Sequence, residues 1–254
     1  MYDWRIYMKD ILQDIVAHTH SLGFLSLVKV TNEDNETTMN SMAENRAVVM
    51  SAATHNKVTE FTGTFGMTNL DKLNLHLKNP EYQKDAKIEV VKAERNGEVV
   101  PTHIHFENSI GDFENNYRFM AKAIIEEQLK TVKFKGAQWN VEFTPSVASI
   151  ARLKLQSDAH SDMENFNVYT KDTGDVTDLY FSFGDESTHS GEFVFQNNVN
   201  GSLQGKFTWP VSEVKSILNL SGDTTMSISN QGAMQISVNS GMATYDYILP
   251  AKTK

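Results

Sequence analysis

Two rhythms of apolar residues alternate along the chain, and their order occurs twice. Gly63-Thr-Phe-Gly-Met leads into a segment whose apolar positions are Leu70, Leu73 and Leu77, the spacing of one helix face. Much later, Gly205-Lys-Phe-Thr-Trp-Pro leads into Val211, Val214 and Leu218 at the same spacing. Each reads as a strand that turns into a helix. A hairpin pattern follows each helix, over residues 87–100 and 225–238, and the turns carry Asn96-Gly97 and Gln231-Gly232, where glycine supplies the positive φ of a tight turn. A recurring strand, helix and hairpin implies a duplicated domain. We place the first domain at residues 1–121, a connector at 122–136 and the second domain at 137–254.

The remaining elements follow from the same rhythms. Met8, Ile11, Leu12 and Ile15 mark an amphipathic helix over Tyr7–His20, ended by Gly23. Strands are expected at Leu25–Thr31, Glu36–Met42, Ala47–Ala53, Val58–Met67 and Asn116–Met120, with a helix over Asn69–Leu77 capped by Thr68 or Asn69. The stretch from Ala121 to Gly136 shows no clean alternation and reads as the connector. In the second half a strand is expected at Gln138–Phe143 and a helix from Ser146 to Gln156, entered through Pro145. Strands follow at Asn165–Tyr169, Asp178–Phe183, Gly191–Gln196 and Ser202–Thr208. Strand and helix do not alternate often enough for a parallel doubly wound sheet, so the pattern predicts an antiparallel α+β fold.

Composition narrows the chemistry. With 254 residues, 40% hydrophobic, 22% charged and no cysteine, the chain reads as globular, and disulfides and thiolate chemistry are excluded. No apolar run approaches the ~20 residues of a membrane span, and the N-terminus lacks a signal pattern. A cytoplasmic address without membrane contact is expected, in an infected host cell if the chain is viral. A net charge of −9 argues against a generally basic surface, leaving room for a small basic face.

Candidate sites are sparse. His103 with His105, and His18 with His20, are possible metal ligands, but no carboxylate and histidine spacing of a known metal motif accompanies them, and no metal or other cofactor is expected. No glycine-rich phosphate loop is present. Ser187, His189 and Asp185 lie close in sequence, whereas a catalytic triad is assembled in space. Cations sort by helix: Lys9, Lys72, Arg152 with Lys154, and Lys215.

The closing segment, Thr224-Thr-Met-Ser-Ile-Ser-Asn-Gln-Gly-Ala-Met-Gln-Ile-Ser-Val through Tyr245-Asp-Tyr-Ile-Leu-Pro250, resembles the last strands of sliding DNA clamps, the polymerase processivity factors typified by proliferating-cell nuclear antigen and the clamps of large tailed phages. Trp139-Asn-Val-Glu-Phe-Thr-Pro-Ser and Phe207-Thr-Trp-Pro-Val are similar to elements of that family's second domain. The resemblance implies a DNA-clamp fold with two similar domains per chain, each with two helices and antiparallel sheets. It also implies a homotrimeric ring, sheets outside and helices inside, that encircles double-stranded DNA, tethers a DNA polymerase, recruits a clamp loader and catalyses nothing. On this reading Lys9, Lys72, Arg152, Lys154 and Lys215 face DNA. By analogy Tyr117, Phe119, Phe193 and Phe195 lie on the strands that join subunits, and Ile124, Ile125, Leu129, Val132, Tyr247, Ile248, Leu249 and Pro250 form a pocket for partner peptides. The alternatives are a nucleic-acid-binding accessory protein that does not close, which exposed aromatics beside a basic groove would favour, and a small hydrolase.

Overall fold

The computed structural model describes residues 4–95, 97–130, 134, 136–172, 174–185, 187 and 189–252. Val132 and Asn96 lie outside the described residues. Contacts divide the chain into two compact units, one of Met1–Glu44, Met50–Val132 and Ser240–Tyr245, the other of Asn45–Val49, Lys133–Asn239 and Asp246–Lys254.

The first unit opens with helix α1 (Trp4–Ala17), whose residues Met8, Ile11, Leu12 and Ile15 are wholly buried. Strands β1 (Val28–Glu33), β2 (Glu36–Met42), β3 (Val49–Thr54) and β4 (Gly63–Met67) follow, and β4, β1, β2 and β3 lie side by side in that order. Alternate residues of β1 and β2 are buried, the mark of a sheet with one face on a core. Helix α2 (Leu70–Lys78) comes directly after β4. Asn69 is its N-cap residue, but in a left-handed conformation whose side chain caps nothing. Strands β5 (Lys87–Arg95), β6 (Glu98–Glu107) and β7 (Glu114–Arg118) form a three-stranded antiparallel sheet. Beyond β7, Met120 and Gly66 exchange backbone hydrogen bonds of 2.9 and 2.8 Å, tying the chain to β4.

The stretch expected to be an irregular connector contains a helix, α3 (Lys122–Gln128). Ile125 is the reason it holds its place: it is wholly buried against Gly66, where an added Cβ would lie 2.9 Å from Ile125 Cδ1. A glycine at 66 is what lets the helix approach the strand.

The second unit begins with β8 (Val141–Phe143) and α4 (Val147–Ala159), started by Ser146, whose hydroxyl accepts from the Ser149 N–H. Strands β9 (Asn165–Asp172), β10 (Thr177–Phe183), β11 (Gly191–Gln196) and β12 (Phe207–Pro210) form an antiparallel sheet ordered β11, β10, β9, β12. Helix α5 (Val211–Leu218) follows β12, repeating the passage from β4 to α2. Its expected apolar residues Val211, Val214 and Leu218 are buried, as are Leu70, Leu73 and Leu77 in α2. Strands β13 (Asp223–Ser229), β14 (Ala233–Asn239) and β15 (Ala243–Pro250) close the chain, with β8, β13 and β14 adjacent in turn. Gly97 and Gly232 take φ of +80° and +76°, as their hairpin turns require.

Candidate nucleic-acid interface

Each unit sets two helices together, α1 on α2 and α4 on α5. Which side chains a helix offers outward follows from its buried stripe, since successive residues turn by about 100°. On α1 the outward side carries Asp10, Gln13 and Ala17, and Lys9 stands at its flank. Lys9 is half-buried, and its Nζ donates to the Tyr82 carbonyl at 3.2 Å and to Gln83 Oε1 at 2.9 Å, so it anchors the segment after α2.

Leu75, 67% exposed, is central on the outward side of α2, with exposed Lys72 beside it. Burial lowers the pKa of His76, and the Lys72 charge lowers it further. The pattern recurs on α4: Ser149, Leu153 and Ser157 are buried, Leu155 is 70% exposed, and Arg152 and Lys154 stand at opposite flanks. Arg152 turns to β11, donating to the Val194 carbonyl at 3.3 Å with its guanidinium 5.7 Å from the Phe193 ring. Lys154 keeps to the other flank. Lys215 of α5 is half-buried, donating to Ser157 Oγ at 3.0 Å and lying 3.6 Å from Asp158 Oδ1. Of the five cations read from sequence, Lys72 and Lys154 are fully presented, Arg152 reaches an edge strand, and Lys9 and Lys215 brace their own units.

The strands read as subunit contacts, β7 and β11, each lie at the edge of a sheet. Their aromatic side chains do not extend outward, however: Tyr117, Phe193 and Phe195 are buried within their units, and Phe119 is half-buried. Tyr117 donates to the Thr68 carbonyl, and burial raises its pKa above the ordinary phenol value. Phe195 stacks on Phe181 at 4.0 Å. What the edges offer outward is backbone.

Of the residues read as a partner pocket, Ile125 and Leu129 are buried in the first unit, and Tyr247, Ile248 and Leu249 in the second. Leu249 also accepts the Trp209 indole N–H through its carbonyl at 3.0 Å. Ile124 is 48% exposed and Pro250 is exposed. Val132 falls outside the described residues.

The histidine pairs have local partners. His103 Nδ1 lies 2.9 Å from Thr102 Oγ1, and His105 contacts Asn116 Oδ1 at 3.0 Å and Glu107 Oε2 at 3.5 Å. His18 stacks on Tyr245 at 4.4 Å with Nδ1 3.2 Å from Asp14 Oδ1. No group of three metal-ligating side chains occurs among the described residues. Ser187 Oγ donates to Asp185 Oδ1 at 2.6 Å in an exposed turn, which is an Asx-type contact and not the serine and imidazole bond of a nucleophile.

One cluster escaped the sequence reading. Tyr169 and Tyr180, cross-strand partners on β9 and β10, stack at 5.9 Å, with Lys171 Nζ 4.5 Å from the Tyr180 ring and Lys206 Nζ 5.1 Å from the Tyr169 ring. Tyr169 also donates to Glu192, which pairs with Lys171 at 2.7 Å. Those two hydrogen bonds, Lys171's first, lower the Glu192 pKa. Counting outward in equal steps from Gly174-Asp175 would have paired the two tyrosines.

No family model matches the sequence, and no curated protein matches it. Solved structures do. PCNA of A. fulgidus, bound to the C-terminal region of FEN-1, aligns with a TM-score of 0.66 at 12% identity, covering 97% of this chain and 95% of that one. The fold is that of the sliding clamps. PCNA of Thermococcus kodakaraensis aligns at 0.66 and 9% identity over 95% of this chain and 97% of that one. PCNA of Entamoeba histolytica gives 0.62 and 11% over 97% and 95%. The clamp fold explains the repeated passage from strand to helix: β4 to α2 and β12 to α5 are equivalent steps of two similar domains.

Proposed function

We propose that this chain is a sliding clamp, catalysing nothing, that closes as a homotrimer around duplex DNA and holds a replicative polymerase to its template. The observation that carries the proposal is a clamp fold matched from end to end, over 97% of this chain and 95% of the A. fulgidus protein. Exposed cations on α2 and α4 and the sheet-edge positions of β7 and β11 agree with it. Phosphate contacts from a few lysines are sequence-independent and weak enough to let the ring slide. The segment 122–136 serves as connector, and exposed Ile124 and Pro250 are the starting points for partner peptides of polymerase and clamp loader. The PCNA of A. fulgidus was solved with a peptide region of FEN-1 bound.

Topology gives the test. Loaded onto nicked circular duplex, the clamp should be retained through gel filtration and lost when the circle is linearised, while Lys72→Ala with Lys154→Ala should reduce retention and leave the fold intact. Equal retention on linear and circular DNA contradicts encirclement. The Tyr169 and Tyr180 stack flanked by Lys171 and Lys206 favours a second reading, an accessory protein that binds single strands. That reading requires oligothymidylate to bind without any ring.

A further inference from the structure

The hairpin of β5 and β6 is longer than the strand beside it. Pairing of β5 with β6 continues out to Arg95 and Glu98, whereas β7 follows β6 only from Glu107 to His103. The overhang and the start of α3 enclose a pocket of about 530 Å³ floored by Phe65, Phe119 and Met120. Arg95, Arg118 and Lys122 line it, and none of the three has an acidic partner within 4 Å among the described residues. Against these three cations the lining sets two carboxylates, Glu98 and Glu126, an excess of one positive charge. An apolar floor under unpaired cations suits a short segment carrying a carboxylate.

Strand polarity identifies that segment. β7 is a sheet edge, and its C-terminal end, Arg118, opens into the pocket. β11, the strand read with β7 as a subunit contact, ends the second unit's four-stranded sheet, and the strand pairings around both are antiparallel. Adding β11 of one copy to β7 of another in the same sense sets the N-terminal end of β11 against the C-terminal end of β7. Phe183 pairs with Gly191, so Asp185 lies just beyond that end of β11, in an exposed turn with Oδ1 held by the Ser187 N–H at 2.8 Å. We propose that Asp185 of a second copy docks among Arg95, Arg118 and Lys122, fixing the register in which neighbouring subunits join. The inference rests on the ring reading and adds to it a specific contact that makes closure dependent on charge.

The chain has no cysteine, so single thiols can be placed without background. Chains carrying Lys122→Cys are mixed with chains carrying Asp185→Cys, oxidised, and run without reductant. A covalent dimer should form in the mixture and not in either variant alone. In parallel, Arg118→Glu should raise the trimer dissociation constant by about tenfold, equivalent to ~1.4 kcal/mol, with its circular dichroism unchanged, and adding Asp185→Arg should restore association. Trimers that neither cross-link in the mixture nor respond to the charge changes overturn the docking and leave the ring standing. A wild type that is monomeric at every concentration overturns both.

Discussion

Asp14 shows how a residue's role can rest on partners that its own segment does not contain. It lies on α1, between the buried residues Leu12 and Ile15. In the fold its carboxylate turns inward, accepting from the Tyr245 hydroxyl at 2.8 Å and the Ser240 hydroxyl at 3.0 Å, beside His18. These partners come from the far end of the chain, and nothing local could have announced them. Asp14→Ala removes the carboxylate to which both hydroxyls donate and should cost about 1–3 kcal/mol in urea unfolding. An unchanged midpoint would show that the network contributes nothing. Ile125 is a parallel case: an apolar residue in a charged run serves equally well as anchor or as partner site, and only the absence of a Cβ on Gly66 decides for anchor.

Secondary elements were legible where one face is buried and periodic. β2 and β11 occupy the expected residues, and both copies of the strand followed by helix are present. α3 was missed because a seven-residue helix held by one buried isoleucine has no periodicity to read. The cations were legible as residue types but not as presented charges, since Lys9 and Lys215 turn to acceptors contributed by segments distant in sequence. β7 and β11, read as the strands that join subunits, each end a sheet, but Tyr117, Phe193 and Phe195 belong to the cores. At β11 the Val194 carbonyl turns to Arg152, and the N–H and C=O of one strand residue point the same way, so its N–H also faces outward. Val194→Pro should therefore dissociate trimers while circular dichroism stays native, and persistent trimers would place the contact on other strands. His76 offers a pH test at this scale. It packs against Phe106 at 5.2 Å, and its pKa is lowered by burial and by Lys72. The unfolded chain binds a proton near the ordinary value of 6.5 that the folded chain refuses, so its contribution is present above that pH and is lost as pH falls toward the lowered folded value. Taking the protein from about pH 7.5 to about pH 5.5 should lower Tm, and His76→Gln should flatten the change. An identical slope in the variant would assign the effect to other groups.

At the scale of the whole molecule, a net charge of −9 and a DNA-binding role are compatible only if a subset of the exposed cations is gathered where DNA passes and acid elsewhere discourages other contacts. A ring achieves this, because topology holds what weak electrostatics cannot. On the proposed reading β7 and β11, each at the end of a sheet, join neighbouring subunits, and three chains close the ring. Sedimentation equilibrium over a wide range of protein concentration tests this most directly. The account predicts a species of three times 28.6 kDa that dissociates on dilution and more readily in high salt. A single chain of 28.6 kDa at every concentration, in low salt as in high, would contradict it.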